Sequence, residues 1–201
     1  MDKSAPIGQA PAARAEKRKD EVRWYFLERG AQGLWAHTEC VAREIKRLAE
    51  RFHLDLPLCE SAAYYHDIAC VMKPEEMLAA ALRDELVLFD AERQFPSMLH
   101  QRVSACLARE LFGLQNEEVL GAIACHTTLR ENASPLDMAL FVADKLAWEP
   151  KAPFYEEVEE AAKSALPAAC LAYMRDMERR GQILLPHPWF LEAKAYLLTI
   201  T

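Results

Sequence analysis

The sequence contains little glycine, with 6 residues in a chain of 201. Loops that hold phosphate groups against backbone N–H groups need glycine at fixed spacings, and neither GxGxxG nor GxxxxGKS/T occurs here. The common glycine-rich nucleotide folds are therefore excluded. Apolar residues nevertheless make up 52% of the chain and charged residues 27%, which is typical of a folded globular protein. The length fits a single domain.

Closely spaced cysteine pairs are also absent. The six cysteines are Cys40, Cys59, Cys70, Cys106, Cys125 and Cys170. Without a CxxC pair, a zinc or redox motif is not indicated, and their apolar surroundings predict reduced thiols packed as small hydrophobic side chains. The chain has neither a secretory signal nor a run of about 18 apolar residues that could cross a membrane. We therefore expect a cytoplasmic protein without a membrane partner.

Positive charge is in deficit as well. Lys and Arg number 24 against 31 Asp and Glu, which gives a formal net charge of -7. Affinity for nucleic acid comes mainly from clustered Lys and Arg, so we do not expect a nucleic-acid partner. The same charge disfavours an anionic small molecule, unless bound cations lie at its site.

The spacing of apolar residues is helical from Asp20 onward and predicts an all-α fold. Three helix starts carry local signals, because proline or a capping side chain precedes acidic residues and an apolar run. They are the segments beginning at Lys73-Pro74, at Asn116 and at Ser134-Pro135. Gly113 predicts the end of a helix that begins near Pro96.

These signals divide the chain into three parts. We predict a flexible N-terminal arm over residues 1–19, a main domain over residues 20–150, and a C-terminal helical extension over residues 151–201 that packs on the same domain. The extension is expected to form helical blocks at 155–180 and 189–198, separated by glycine and proline.

Six ionisable side chains fall on the apolar faces of five predicted helices. They are His37, His66 with the adjacent Asp67, His100, His126 and Asp144. One such histidine is usually a hydrogen-bonded core residue. Burying all six without compensation would cost several kcal/mol for each group, and a divalent metal site removes that cost.

The ligand types indicate which metals these side chains would bind. Imidazole and carboxylate suit iron, manganese and zinc, whereas magnesium and calcium sites are richer in oxygen. Six ligands are more than one tetrahedral ion binds, so they favour two ions bridged by a carboxylate. Asp67, directly after His66, is the predicted bridge. Such a pair of ions activates a water and holds the oxygens of a phosphoryl group, so hydrolysis at phosphorus is predicted. A purely structural site is the alternative, although structural sites usually combine Cys and His at short spacings.

The order of these residues resembles the H…HD…D signature of the HD-domain metal-dependent phosphohydrolases. Three blocks, YYHDIA at 64–69, AIACHTT at 122–128 and FVADK at 141–145, are similar to the bacterial YqeK-type branch. That branch hydrolyses diadenosine tetraphosphate symmetrically to two ADP. The resemblance covers about residues 34–150 and implies an HD-domain helical bundle, with the extra helices following it.

The resemblance also implies a role for each site residue. One metal would be held by His37, His66, Asp67 and Asp144, and the second by Asp67, His100 and His126. The two divalent ions would be iron, with manganese as the alternative. Asp67 and Lys145 are implied as catalytic residues, and Lys145 also as a contact to substrate phosphate. Thr127 and Arg130, near the end of the His126 helix, are predicted as further phosphate contacts. A helix-end lysine at Lys145 and plain loop roles for Thr127 and Arg130 are the competing interpretations. A homodimer is implied by the family.

The chain departs from that branch at two places. Cys70 stands where the branch usually has lysine, with Lys73 three residues on, and residues 146–151 differ from the usual acidic residue and proline. Two alternatives therefore stay open: an HD phosphohydrolase for another nucleotide or a phosphate monoester, and a non-catalytic metal- or nucleotide-binding regulatory domain. A ferritin-like bundle needs two Glu-x-x-His motifs, and only Glu50 to His53 matches. His53 and His187 are predicted to be surface or loop histidines.

Overall fold

The computed structural model describes residues 11–148 and 150–201, with side chains from residue 18 onward except residue 149. Over this part of the chain the structure consists of helices and turns with no β-strand, which confirms the all-α prediction. The helices are α1 Pro11–Glu28, α2 Gln32–Phe52, α3 Leu56–Tyr65, α4 Pro74–Arg83, α5 Asp90–Gln94, α6 His100–Phe112, α7 Glu117–Cys125, α8 Pro135–Leu146, α9 Tyr155–Ala161, α10 Leu166–Arg179 and α11 Pro188–Ile200. Single 3₁₀ turns cover Ile68–Val71 and Pro96–Leu99.

The N-terminal segment differs from the prediction of a flexible arm. Helix α1 begins at Pro11, so residues 11–19 are helical, while residues 1–10 lie outside the described part. The segment lacks apolar periodicity, but it is rich in Ala, Arg, Glu and Lys, which favour helix by intrinsic propensity. Val22 and Phe26 are fully buried and attach α1 to the core.

The predicted helix starts are confirmed. Asn116 Oδ1 accepts a hydrogen bond from Val119 N at 3.0 Å at the start of α7. At α8, Ser134 Oγ accepts from Asp137 N at 3.1 Å, and the Asp137 carboxylate accepts from Ser134 N at 3.0 Å. Such caps contribute about 1 kcal/mol each. Gly113 ends α6 in the left-handed region, with φ of 64°.

Two predicted helix boundaries are wrong. The block at 155–180 is divided into α9 and α10, because Pro167 has no N–H to donate and is accommodated only in the first turn of a helix. The helix expected from Pro96 starts as a 3₁₀ turn, and α6 begins at His100. The terminal helix α11 starts at Pro188 and runs to Ile200.

Helix α8 lies at the centre of the molecule. It packs against α2, α3, α7, α9 and α10, and every residue from Leu136 to Leu146 is buried. Helix α6 packs on α7, and α11 packs on α10. Helices α9, α10 and α11 contribute buried residues to the same hydrophobic core as the preceding helices.

All six cysteines carry free thiols. Among the described helices, none is long and apolar enough to cross a membrane.

Candidate metal centre

The six predicted ligands converge from five helices. His37 lies on α2, His66 at the end of α3 with Asp67 directly after it, and His100 begins α6. His126 ends α7, and Asp144 lies in the last turn of α8. A cavity of about 460 Å³ is lined by His37, Asp67, His100, Thr127, His126, Asp144, Lys145, Trp148 and Tyr173, while His66 is fully buried beside it.

Three of the histidines are oriented in the same way. The Nδ1 atoms of His66, His100 and His126 lie 2.8, 2.7 and 2.8 Å from the carbonyl oxygens of the residues three positions earlier. A carbonyl oxygen only accepts, so each Nδ1 must donate. Their Nε2 atoms therefore face the centre, in the arrangement by which backbone carbonyls orient metal-binding imidazoles.

The Nε2 atoms of His100 and His126 face each other at 3.1 Å. Burial lowers the pKa of His126 to about 4, so its Nε2 presents a lone pair at neutral pH. Two lone pairs at this separation repel unless a proton or a cation lies between them. Ligand atoms about 3 Å apart are also what a cation with bonds of about 2.0–2.2 Å requires.

The two carboxylate oxygens of Asp67 face different histidines. Its Oδ2 lies 3.3 Å from His66 Nε2 and 3.9 Å from His37 Nε2. Its Oδ1 lies 3.3 Å from His126 Nε2 and 3.6 Å from His100 Nε2. This is the arrangement expected of a carboxylate that bridges two ions.

Asp144 adds a second carboxylate on the His37 side. Its Oδ1 lies 3.0 Å from His37 Nε2 and 4.0 Å from His66 Nε2, while its Oδ2 accepts from Lys145 Nζ at 2.5 Å. Burial opposes ionisation of Asp144, but Lys145 and the neighbouring histidines hold its pKa well below the usual value. The carboxylate is therefore ionised at neutral pH.

Asp67 and His66 are electrostatically coupled. Burial would raise the pKa of Asp67, but His66, His126 and His100 lower it well below its usual value. Burial would lower the pKa of His66, but Asp67 and Asp144 outweigh burial and raise it to about 9. The carboxylates of Asp67 and Asp144 thus attract positive charge to the centre, either as a proton on His66 or as a metal ion.

The donor set fits divalent metal ions. His66 Nε2 and Asp67 Oδ1 are buried and have no hydrogen-bond partner among the described residues. Ligand atoms of His37, His66 and Asp67 lie within 4.8 Å of one another, and so do those of Asp67, Cys70 and His100. Imidazole and carboxylate groups are ligands that iron, manganese and zinc accept.

Two of the predicted substrate contacts line this cavity. Lys145 is almost fully buried, and its Nζ also donates to the His126 carbonyl oxygen at 3.3 Å, so it is not a solvated helix-end lysine. Thr127 Oγ1 lies 2.9 Å from His100 Nε2.

The third predicted contact, Arg130, is placed differently. It does not line the cavity, and its Nε and Nη2 donate to Oδ2 of buried Asp137, each at 2.8 Å. The geometry therefore corrects the expected phosphate contact to an ion pair that supports the start of α8. Gly121 permits this position, because a Cβ there would lie 2.8 Å from Arg130 Nη2.

The structure adds residues that the sequence did not indicate. Gln101 is fully buried, and its Oε1 accepts from Thr127 N at 3.0 Å and from Thr128 N at 3.2 Å. It thereby fixes the turn after His126. Trp148 and Tyr173 line the cavity without any motif to mark them.

His187 is also a correction, because it is buried rather than a surface or loop histidine. His53 is exposed, as predicted. Lys73 is exposed at the start of α4 and does not line the cavity, so it does not replace the lysine that Cys70 displaces.

The fold agrees with comparisons to known proteins. The HD domain family model matches residues 34–149. A symmetrical bis(5'-nucleosyl)-tetraphosphatase of Bacillus subtilis is 30% identical over 142 residues, which cover 71% of this chain and 76% of that protein. The corresponding enzyme of Halalkalibacterium halodurans is 33% identical over 138 residues, 69% of this chain and 73% of its own length.

Two further proteins are similar. An uncharacterized protein in the pepC 5' region of Lactococcus lactis subsp. cremoris is 40% identical over 135 residues, covering 66% of this chain and 69% of that protein. A solved structure of a predicted HD superfamily hydrolase from Clostridium acetobutylicum has a TM-score of 0.85 at 24% identity, and covers 90% of this chain and 97% of its own. That likeness shows the fold. With the family model matched over more than half of its length and the ligand cluster in place, this chain belongs to the HD-domain family of hydrolases.

Proposed function

We propose that this chain is a metal-dependent phosphoanhydride hydrolase that cleaves diadenosine tetraphosphate symmetrically into two ADP. The observation that carries the proposal is Asp67, whose two oxygens face separate groups of histidines. The relatives named as symmetrical tetraphosphatases, at 30% and 33% identity, support this choice of substrate. The reaction breaks one P–O–P bond with one water.

The ligand geometry supports two metal positions. His37, His66, Asp67 and Asp144 would hold one ion, and Asp67, His100 and His126 the other. We propose iron, with manganese as the alternative, because the six proposed ligands are imidazoles and carboxylates and include no cysteine thiolate. Bound divalent metals supply an activated water at neutral pH and positive charge for the phosphate oxygens.

The surrounding residues position the reacting groups. Asp67 sets the separation of the two halves of the centre. Lys145 stabilises the ionised form of Asp144 and lines the cavity with its ammonium group, which we propose to face a phosphate oxygen. Thr127 presents a hydroxyl beside His100, where it can donate to an anionic oxygen.

The net charge of -7 does not oppose this proposal. Two divalent ions would bring four positive charges to one cavity, and bound cations are often the largest local charges in a site. The cavity of about 460 Å³ then holds the phosphates, while the nucleoside ends of such a substrate extend beyond it.

The test is hydrolysis by purified full-length protein loaded with iron or manganese, with products separated by chromatography. We expect about two metal equivalents, which is what a two-metal site requires, and ADP as the sole nucleotide product. Asp67→Asn should lose both metal and activity, whereas His53→Asn, at an exposed position with φ of 55°, should retain both.

The alternatives give different products. Cleavage to ATP and AMP would contradict the symmetrical reaction. Orthophosphate released only from a monoester would favour the phosphohydrolase alternative, and full metal content without turnover would favour a regulatory domain.

A further inference from the structure

A second cavity, of about 310 Å³, adjoins the metal cavity. Thr127 and Tyr173 line both cavities. Because Thr127 Oγ1 lies 2.9 Å from His100 Nε2, a single side chain separates the second cavity from a proposed metal ligand. A ligand whose phosphates lie in the metal cavity can therefore extend past Thr127.

The wall of the second cavity is mainly apolar. Its apolar side chains are Phe95, Met98, Met177, Ile183, Leu184, Leu185 and Phe190. Ser97, Gln182 and His187 also line it. Neither the Ser97 hydroxyl nor Gln182 Oε1 has a hydrogen-bond partner among the described residues, so both are available to a ligand.

His187 is the most buried of these polar groups, with 2% of its surface exposed. Its Nδ1 accepts from Trp189 N at 3.1 Å, so in the neutral ring Nε2 carries the proton. That Nε2 has no hydrogen-bond partner within the described structure, and Glu92 Oε1 lies 3.5 Å away. The group that this Nε2 faces is the Glu92 carboxylate, so His187 closes the cavity wall, and the polar groups left for a ligand are those of Ser97 and Gln182.

We propose that the second cavity binds the nucleoside end of the substrate while its phosphates occupy the metal cavity. A nucleobase has flat apolar faces and a polar edge, which matches an apolar wall with a few hydrogen-bonding groups. Ligand pockets start at about 300 Å³, so the volume suits one nucleoside rather than two. This inference rests on the proposed function, because it takes the phosphates to lie at the metals.

The location of the wall assigns a role to the C-terminal helices. Residues 177–190 form much of the wall and lie outside the 34–149 match to the HD domain. Selection of the nucleoside would thus depend on the C-terminal extension, whereas phosphate binding would depend on the matched domain.

The test compares ADP with inorganic pyrophosphate by titration calorimetry on manganese-loaded full-length protein. We expect wild type to bind ADP about tenfold more tightly than pyrophosphate, a difference of about 1.4 kcal/mol. Met177→Trp, which fills the cavity, should remove this preference and leave pyrophosphate binding unchanged. Leu198→Trp lines neither cavity and serves as the matched control.

Gln182→Trp provides a second variant at an exposed position, in case Met177→Trp fails to fold. Equal affinity of wild type for ADP and pyrophosphate would overturn the inference. So would a preference for ADP that survives in folded Met177→Trp and in Gln182→Trp.

Uncharged adenosine separates this inference from the proposed function, because it needs no metal. Adenosine should bind metal-free wild type and be blocked by Met177→Trp, whether or not the tetraphosphate is cleaved. If adenosine binds but diadenosine tetraphosphate is not hydrolysed, the proposed function fails and the cavity assignment stands. If Met177→Trp hydrolyses the tetraphosphate with an unchanged KM, the cavity assignment fails and the function stands.

Discussion

Replacing Arg130 with methionine should lower the free energy of unfolding without weakening the binding of a phosphate-containing substrate. Two guanidinium nitrogens of Arg130 lie 2.8 Å from Asp137 Oδ2. The Asp137 carboxylate is fully buried, and Ser134 N is its other hydrogen-bond donor among the described residues. Methionine would keep much of the packing volume but leave the Asp137 carboxyl group in the core with one hydrogen-bond donor.

The magnitude follows from burial. Breaking a buried ion pair by removing one partner costs about 3–5 kcal/mol. The Arg130 side chain is 39% exposed, so solvent screens part of the interaction, and we expect about 2–3 kcal/mol. For a domain of this size 1 kcal/mol shifts Tm by about 2–4 °C, so Tm should fall by roughly 4–12 °C.

Urea unfolding and thermal melts measure the change. The matched control is Arg109→Met, because Arg109 also lies 2.8 Å from a carboxylate, that of Glu117, but both side chains are exposed. That pair should contribute little to the free energy of unfolding, because solvent screens exposed ion pairs. If Arg130→Met keeps the Tm of wild type but raises KM about tenfold or more, the ion pair does not explain the role of Arg130. The contact to substrate phosphate would then be the correct interpretation.

Three further predictions concern other parts of the structure. Gln101→Leu should lower the unfolding free energy by about 2–3 kcal/mol in urea titrations, because the N–H groups of half-buried Thr127 and buried Thr128 lose their acceptor. An unchanged urea midpoint would contradict this. Burial opposes ionisation of Glu92, yet its contacts with His187, Phe89 N and Arg102 lower its pKa below 4.5. The ionised Glu92 therefore stabilises the fold above pH 4.5, and this stabilisation is lost as the pH falls through the lowered pKa. Glu92→Gln should therefore be less stable than wild type at pH 7 and show a flatter decline between about pH 5 and 3. Manganese at about 100 times its Kd should stabilise wild type by about 2.7 kcal/mol in thermal melts, and His66→Ala should reduce that increment.

The convergence of the six proposed ligands could be predicted because helical periodicity encodes it. His37 lies on the same face as buried Val41 and Ile45, and His126 follows buried Ala122 and Ile123. Steps of three and four residues place each imidazole on the interior side of its own helix, so no tertiary information is needed. The capped helix starts could be predicted for the same reason, since their signals are local.

Residues whose role depends on a distant partner could not be predicted in this way. His187 lies between two prolines and therefore resembles a loop residue, but it is buried because Glu92 and Phe89 lie against it. The position of Arg130 after the His126 helix favours a phosphate contact, whereas its partner Asp137 becomes a buried acceptor only when α8 is packed into the core. In both cases the sequence shows the side chain and its charge, while the deciding contact is tertiary.

The turn at Thr127 and Thr128 connects the two sites. Gln101 holds both backbone N–H groups of this turn, and the Thr127 side chain lies between the metal cavity and the second cavity. Movement of this turn would change the surroundings of His100 and the shared wall at the same time. Loss of the Arg130 pair would act on the start of α8, a turn that lines neither cavity. Variants at Gln101 should therefore couple stability to metal and nucleoside binding, whereas variants at Arg130 should affect stability alone.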